Sequence, residues 1–320
     1  MSILIISYLR ADHILGYLPV LVRAGLTEVY VAIDGTKNLA DQLEQDSMVD
    51  KITSEFKKNG INLWIWRRSK NLGAAVSVIT AVDWFFSWEE RGIILEDDLF
   101  LSNSFVDFAA KCLTDFEEQP DIWLISGNQF FNRSSQEINP IFTHYPLIWG
   151  WATWRNKWQE MRAAILLENQ KGKTKIDFAQ YAFWSTGRLR SLSGKIDAWD
   201  IPLVLFMLTH NKLCALPPVN LVSNIGADAH STHTTSQSWP LMQGINAFEI
   251  QEEKYKLRSS EEIATEDGIL TKEFYRVKPR HALLPLYRSL LDLVRPTKFR
   301  SSLTKRVQEV TLPTSREFHQ

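Results

Sequence analysis

An α/β fold built on a mostly parallel sheet is predicted by three observations. Short apolar, β-branched runs alternate with helical stretches through residues 1–127. The runs are apolar throughout, as in strands covered on both faces. The conspicuous polar residues fall just after these runs, where ligands sit in open α/β sheets.

The elements follow in order. Ile3 to Tyr8 reads as a buried strand, and Asp12 as the cap of a helix with Leu15, Leu18, Leu21 and Val22 on one face. Glu28 to Ile33 is a second strand, ending at Asp34-Gly35. A polar helix runs from about Leu39 to Lys58, and Ile61 to Trp66 is a third strand. Asn71 to Glu90 is a long helix with Leu72, Val76, Ile79 and Phe86 on one face. Gly92 to Leu95 is a fourth strand, stopped by Glu96-Asp97-Asp98. A helix from about Ser104 to Glu117 and a strand at 122–126 complete the regular part. Beyond residue 127 the alternation gives way to aromatic loops, two or three helices and short strands. Three segments result: 1–127 as a regular first half, 128–249 as an irregular second half of the same domain, and 250–320 as a separate C-terminal tail.

Length and composition suit an ordinary globular protein: 320 residues, 45% hydrophobic and 23% charged. The net charge of −1 gives no bulk attraction to nucleic acid. Cys112 and Cys214 sit in apolar runs and are expected as buried thiols rather than a bridge. No signal peptide or run of about 18 apolar residues is evident, so a cytoplasmic protein is expected. Between Arg276 and Arg306 there are nine Lys/Arg and one acid, Asp292. Such a basic segment suits peripheral contact with an anionic membrane, or packing against the domain or another copy in a homo-oligomer.

Three acids after a hydrophobic strand concentrate like charge, which is costly unless a cation or donors compensate. Their oxygens suit a hard ion, Mg²⁺ or Mn²⁺, and such an ion stabilises a diphosphate as a leaving group.

The combination of Asn71-Leu72-Gly73, a long helix, GIILEDD (92–98), another helix and ISGN (125–128) resembles the nucleotide-sugar-binding half of GT-A-fold (Rossmann-like) glycosyltransferases. The resemblance spans roughly residues 1–235. It is strongest to bacterial family-2-like enzymes and to the N-acetylglucosaminyltransferase I group, whose metal motif is also Glu-Asp-Asp. It implies an inverting hexosyl- or N-acetylhexosaminyl-transferase that uses Mn²⁺ or Mg²⁺ and a nucleotide-sugar, with a UDP-sugar as the expected donor. The implied acceptor is a glycan, a polysaccharide or a lipid-linked hydroxyl.

Carried over by position, Asp98 matches the metal ligand, Asp97 a group near ribose and metal, and Glu96 a nucleoside-facing group. Tyr8 and Arg10 match the nucleotide-side loop, although that pattern is often Asn-Arg. Asp34 matches an acid at the base or ribose, and Asn71 and Gly73 the turn that approaches the nucleotide. In the second half Asn128 is a candidate contact to sugar hydroxyls. Trp149, Gly150 and Trp151 form a glycine-hinged aromatic segment that could present a ring to a sugar. Asp200, in Trp199-Asp200, matches the general base, with Asp197 as runner-up, because the next residue is Ile201 rather than a second Asp. His233 is the candidate second metal ligand, in a loop that also carries Asp228 and His230.

Two other classes are weighed. A nucleotidyltransferase would hold a triphosphate on a glycine-rich loop after the first strand, and SYLRADH (7–13) has no glycine. A non-catalytic sugar- or nucleotide-binding module would not need the acid cluster together with a second-half Asp and His.

Overall fold

The computed structural model describes residues 1–131, 138–166, 176–226, 245–246, 248–250, 252–283 and 302–314. Its strands are β1 (Ser2–Ser7), β2 (Glu28–Ile33), β3 (Asn62–Arg67), β4 (Arg91–Glu96), β5 (Leu99–Leu101), β6 (Ile122–Ser126), β7 (Ile141–Thr143), β8 (Trp151–Trp154), β9 (Leu213–Leu216) and β10 (Val222–Asn224). The helices are α1 (Ala11–Arg23), α2 (Leu39–Lys58), α3 (Ala74–Trp88), α4 (Phe105–Asp115), α5 (Arg155–Leu166), α6 (Phe178–Leu192), α7 (Asp200–His210), α8 (Ser260–Ile269) and α9 (Ser302–Gln308).

Eight strands form one sheet in the order β3-β2-β1-β4-β8-β6-β9-β7, and β5 and β10 form a small antiparallel ribbon. β1 to β4 are mutually parallel. β8 enters antiparallel between β4 and β6, β9 is parallel to β6, and β7 is antiparallel to β9. Only β7 and β8 therefore run against the rest, and the fold is a mixed α/β sheet flanked by helices on both faces.

Alternate residues of each strand feed two cores, as the period of two requires. Leu4, Ile6, Tyr30, Ala32 and Ile94 face α3, α5, α6 and α7. Ile3, Ile5, Val29, Val31, Ile93 and Leu95 face α1, α2 and α4. α3 is buried almost all round, from Ala75 to Phe86. Helices on both faces explain why the strands read as unbroken apolar runs.

The structure departs from the sequence reading at several points. Asp12 does not cap α1; it pairs with Lys51 at 2.6 Å. The long third helix starts at Ala74, not Asn71. The segment after 250 is not separate where it is described. Asp267 accepts from Thr143 Oγ1 at 2.6 Å and bonds His144 Nδ1 at 2.6 Å, holding α8 against β7. Tyr275 stacks on Tyr145 at 4.9 Å. α9 buries Leu303 and Val307 in the core beneath α3 and α6. Their spacing of four residues puts both on one helix face. Cys112 and Cys214 are free and buried, as expected. Among the described residues, no helix is long and apolar enough to cross a membrane.

Candidate functional site

The parallel strands end together at one edge of the sheet, and the loops there carry the polar residues singled out from the sequence. Asp97, which follows β4, is 7% exposed. It accepts from Ser7 Oγ at 2.7 Å, from the Tyr8 amide at 2.8 Å and from Arg10 Nη1 at 2.8 Å. His13 Nδ1 donates to the Asp97 carbonyl at 2.8 Å. Three donors on one buried carboxylate make Asp97 a tie between the ends of β1 and β4. Arg10 is turned inward onto this acid, and Tyr8 donates its hydroxyl to Asp41 at 2.6 Å. Burial and Asp41 hold the Tyr8 phenol up at about 12.

The head of α3 is capped from a distance. Gly73 lies at φ 76° and has no side chain to close the helix. Four consecutive amides are satisfied instead by two remote carboxylates. Asp34 accepts from Leu72 at 2.9 and 3.1 Å and from Gly73 at 3.1 Å. Asp197 accepts from Ala74 at 2.8 Å and from Ala75 at 3.1 Å. Asp34 also takes the Gly35 amide at 3.0 Å. Burial raises the Asp34 carboxyl, against the pull of these amides and of Arg68. Its acceptors are thus occupied within the loop, which differs from the nucleoside contact expected for it. Asp197, likewise, is a cap rather than a free base. The amide end of α3, where a Rossmann-type site receives phosphate, is closed by these two acids.

Asn71 does not cap α3; its Nδ2 donates to Gly35 O at 2.9 Å and joins the loops after β2 and β3. A Cβ on Gly35 would collide with the backbone carbonyl of Lys70. Backbone cannot yield as a flexible side chain would, so Gly35→Ala is expected to lower stability by about 3 kcal/mol. An unchanged urea midpoint would refute this close approach.

Glu96 and Asp98 are the other two acids of the cluster, and Asp98 takes a hydrogen bond from Asn224. Burial, then Asp98, Asp97 and Asp200, push the Glu96 carboxyl far up, with Arg10 opposing. Burial and Asp97 raise Asp98, while Asn224 and Arg10 lower it. Asp200, the first residue of α7, comes from the second half and adds to the rise of the Glu96 carboxyl. The β5–β10 ribbon pairs Asn224 with Leu99, and the Ile225 amide donates to Asp98 O at 2.7 Å. A Cβ on Gly226 would lie 2.6 Å from Asp98 Oδ2. The loop after β10 is therefore delivered against Asp98. Asp228, His230 and His233, which follow, lie outside the described residues.

Clustered carboxylate oxygens with raised proton affinity are a donor set that suits a hard divalent cation. Among the described residues no group of three or more His, Cys, Asp or Glu side chains is placed to hold one. Such ions are often held by one or two carboxylates, with substrate phosphates and water completing the shell.

The acceptor-side residues divide. Asn128 is buried, and its Oδ1 accepts from Ser126 Oγ at 2.9 Å and from the Trp149 amide at 3.1 Å, so it staples the loop before β8. Gly150 adopts φ 60°. Trp151 is 1% exposed and stacks on Trp199 at 5.4 Å. Its ring is core wall and not the sugar platform proposed from the sequence. Trp149 is partly buried, against Phe130 at 5.5 Å. Sequence reading missed Asn224, Gly226 and Arg306. Only Gly226, in a glycine-containing loop, gave any local signal.

No protein-family model matches the chain, and no curated protein matches it. Among solved structures it aligns with a protein of Bacillus anthracis assigned as a glucose-1-phosphate thymidylyltransferase and crystallised in complex with a sucrose. The identity is 10%, over 59% of this chain and 84% of that one, with a TM-score of 0.32, a likeness too slight to carry an argument about function.

Proposed function

We propose that the chain is a GT-A-like glycosyltransferase that moves a sugar from a nucleoside-diphosphate sugar to a hydroxyl acceptor, with inversion and with a divalent metal. One observation carries this reading. Asp98 follows β4 at the carboxyl edge of the sheet with the loop after β10 set against it, and Asp200 opens α7, from the other half of the domain, three residues after Asp197 caps the head of α3. An acid cluster beside the diphosphate and a separate acid beside the acceptor are what such a transfer needs.

Asp98 would hold Mn²⁺ or Mg²⁺, with His233 proposed as the second protein ligand. Such an ion supplies Lewis-acid stabilisation of the departing diphosphate. The nucleoside lies over the loops bearing Tyr8, Asn71 and Gly73, with Asp34, Asp97 and Arg10 beneath as supports and Glu96 alongside. Asp200 takes the proton of the acceptor hydroxyl as that oxygen attacks the anomeric carbon and the bond to the diphosphate breaks. Trp149 borders the sugar, on the loop held by Asn128. UDP is the nucleotide the sequence resemblance supports, and the acceptor is a glycan or a lipid-linked hydroxyl. A cytoplasmic site of action is part of this reading, with membrane contact or self-association through 276–306. The unassigned stretch of that segment, 284–301, lies outside the described residues.

A nucleotidyltransferase is less well supported. The loop after β1 has no glycine, and its Tyr8 amide already donates to Asp97.

Thermal denaturation with nucleotides tests the proposal. UDP or GDP at a hundredfold over Kd, with Mn²⁺, should stabilise by about 2.7 kcal/mol. For a domain of this size that is a shift on the order of 5 °C. No shift with any nucleotide, but one with oligosaccharide, would instead indicate a sugar-binding module.

A further inference from the structure

We infer that Asp197 is a positioning residue: by capping the head of α3 it fixes the loop that carries Asp200, and Arg306 of the C-terminal helix locks the same corner. The inference rests on the reading of Asp200 as the base.

The sequence gives α3 no cap of its own, because Gly73 stands at the N-cap position. The cap comes from about 120 residues away along the chain. Asp197 spans two amides, one per oxygen, which sets both its position and its orientation. It sits directly on the backbone: a Cβ at Gly73 would lie 2.6 Å from Asp197 Oδ2. Glycine at 73 therefore does two things, taking φ 76° and admitting the carboxylate.

Asp200 follows three residues later. Between them Trp199 is buried and stacked on Trp151 of β8. The short loop before α7 is thus held at two points, by Asp197 to the nucleotide half and by Trp199 to the sheet. Arg306 completes the corner. Leu303 and Val307 anchor α9, and the Arg306 guanidinium donates to the Leu72 carbonyl. Residues 71–75, 197–200 and 302–308 therefore meet at one place. The remote cap also ties the nucleotide-side loop to the acid from the other half. A base displaced by 1 Å can lose about 100-fold in rate, so this tie sets the reach of Asp200.

The test uses the full chain with Asp197→Ala, Asp197→Asn and Arg306→Ala. Hydrogen exchange is followed by mass spectrometry at residues 72–76 and across the first turn of α7. Asp197→Ala should accelerate exchange in both segments, Asp197→Asn less so, since it keeps one acceptor. Arg306→Ala should accelerate the first segment. With a turned-over nucleotide-sugar, Asp197→Ala should lower kcat about 100-fold, with a smaller change in donor KM. It should add nothing further in an Asp200→Asn background. In the Asp197 variants, faster exchange confined to 72–76, or additive losses in the double variant, would overturn the inference. If Asp197→Ala does not fold, Asp197→Asn decides it by the same exchange pattern in both segments. If the wild-type chain turns over no nucleotide-sugar, the proposed function fails, and exchange alone still decides whether the two segments are coupled.

Discussion

Asp98→Ala is expected to abolish Mn²⁺-dependent nucleotide binding, weakening affinity by at least about 100-fold, or ~2.7 kcal/mol. The reasoning starts from the neighbours. Asp97 already carries three hydrogen bonds, and Asp34 and Asp197 are occupied by the amides at the head of α3. Of the sequence-selected acids, Asp98 is the one against which the β10 loop is pressed. Removing it leaves a divalent ion without its main carboxylate. The fold should lose little: relief of the repulsion that Asp98 exerts on Glu96 opposes the loss of its hydrogen bond from Asn224, so the metal-free variant should stay close to the parent in stability. Acid clusters at functional sites commonly carry such a stability cost. Calorimetric titration of UDP with and without Mn²⁺, beside a denaturation curve of the apo protein, checks both halves. Unchanged affinity would remove Asp98 from the metal site.

Asp200→Asn is expected to retain nucleotide binding and to lose turnover by about 10²- to 10⁴-fold, the usual contribution of a positioned base. Asn has nearly the same shape but cannot take up the acceptor proton. Asp200 also contributes repulsion to Glu96 and to the buried Tyr275 phenol, which it pushes up after burial itself. Neutralising it should not weaken the cluster. Single-turnover rates and nucleotide affinity, measured side by side, separate a lost base from a lost site. Near-normal turnover would place the base elsewhere.

Much of the first half was legible in sequence because its strands are short, β-branched and covered on both faces. The edge at which ligands would sit followed from the direction of those strands. The heads of the helices were less legible. Asn71 reads as the first residue of the long helix, yet α3 begins at Ala74 and its head amides are satisfied by Asp34 and Asp197. Nothing local to residues 71–75 announces a carboxylate so distant in the chain. Trp149 and Trp151 read alike in sequence, yet the second begins β8 and is buried. β8 inserts antiparallel between β4 and β6, a pairing that four residues cannot reveal alone. The Leu303 and Val307 spacing shows a buried helix face, but not that Arg306 reaches the head of α3.

Product analysis after incubation with Mn²⁺ and a panel of nucleotide-sugars, with and without hydroxyl acceptors, tests the central claim most directly. The account predicts that one nucleotide-sugar is consumed with release of its nucleoside diphosphate, and that the release is lost in Asp98→Ala and Asp200→Asn. Release of pyrophosphate from a nucleoside triphosphate and a sugar 1-phosphate, with no nucleoside diphosphate from any nucleotide-sugar, would contradict it.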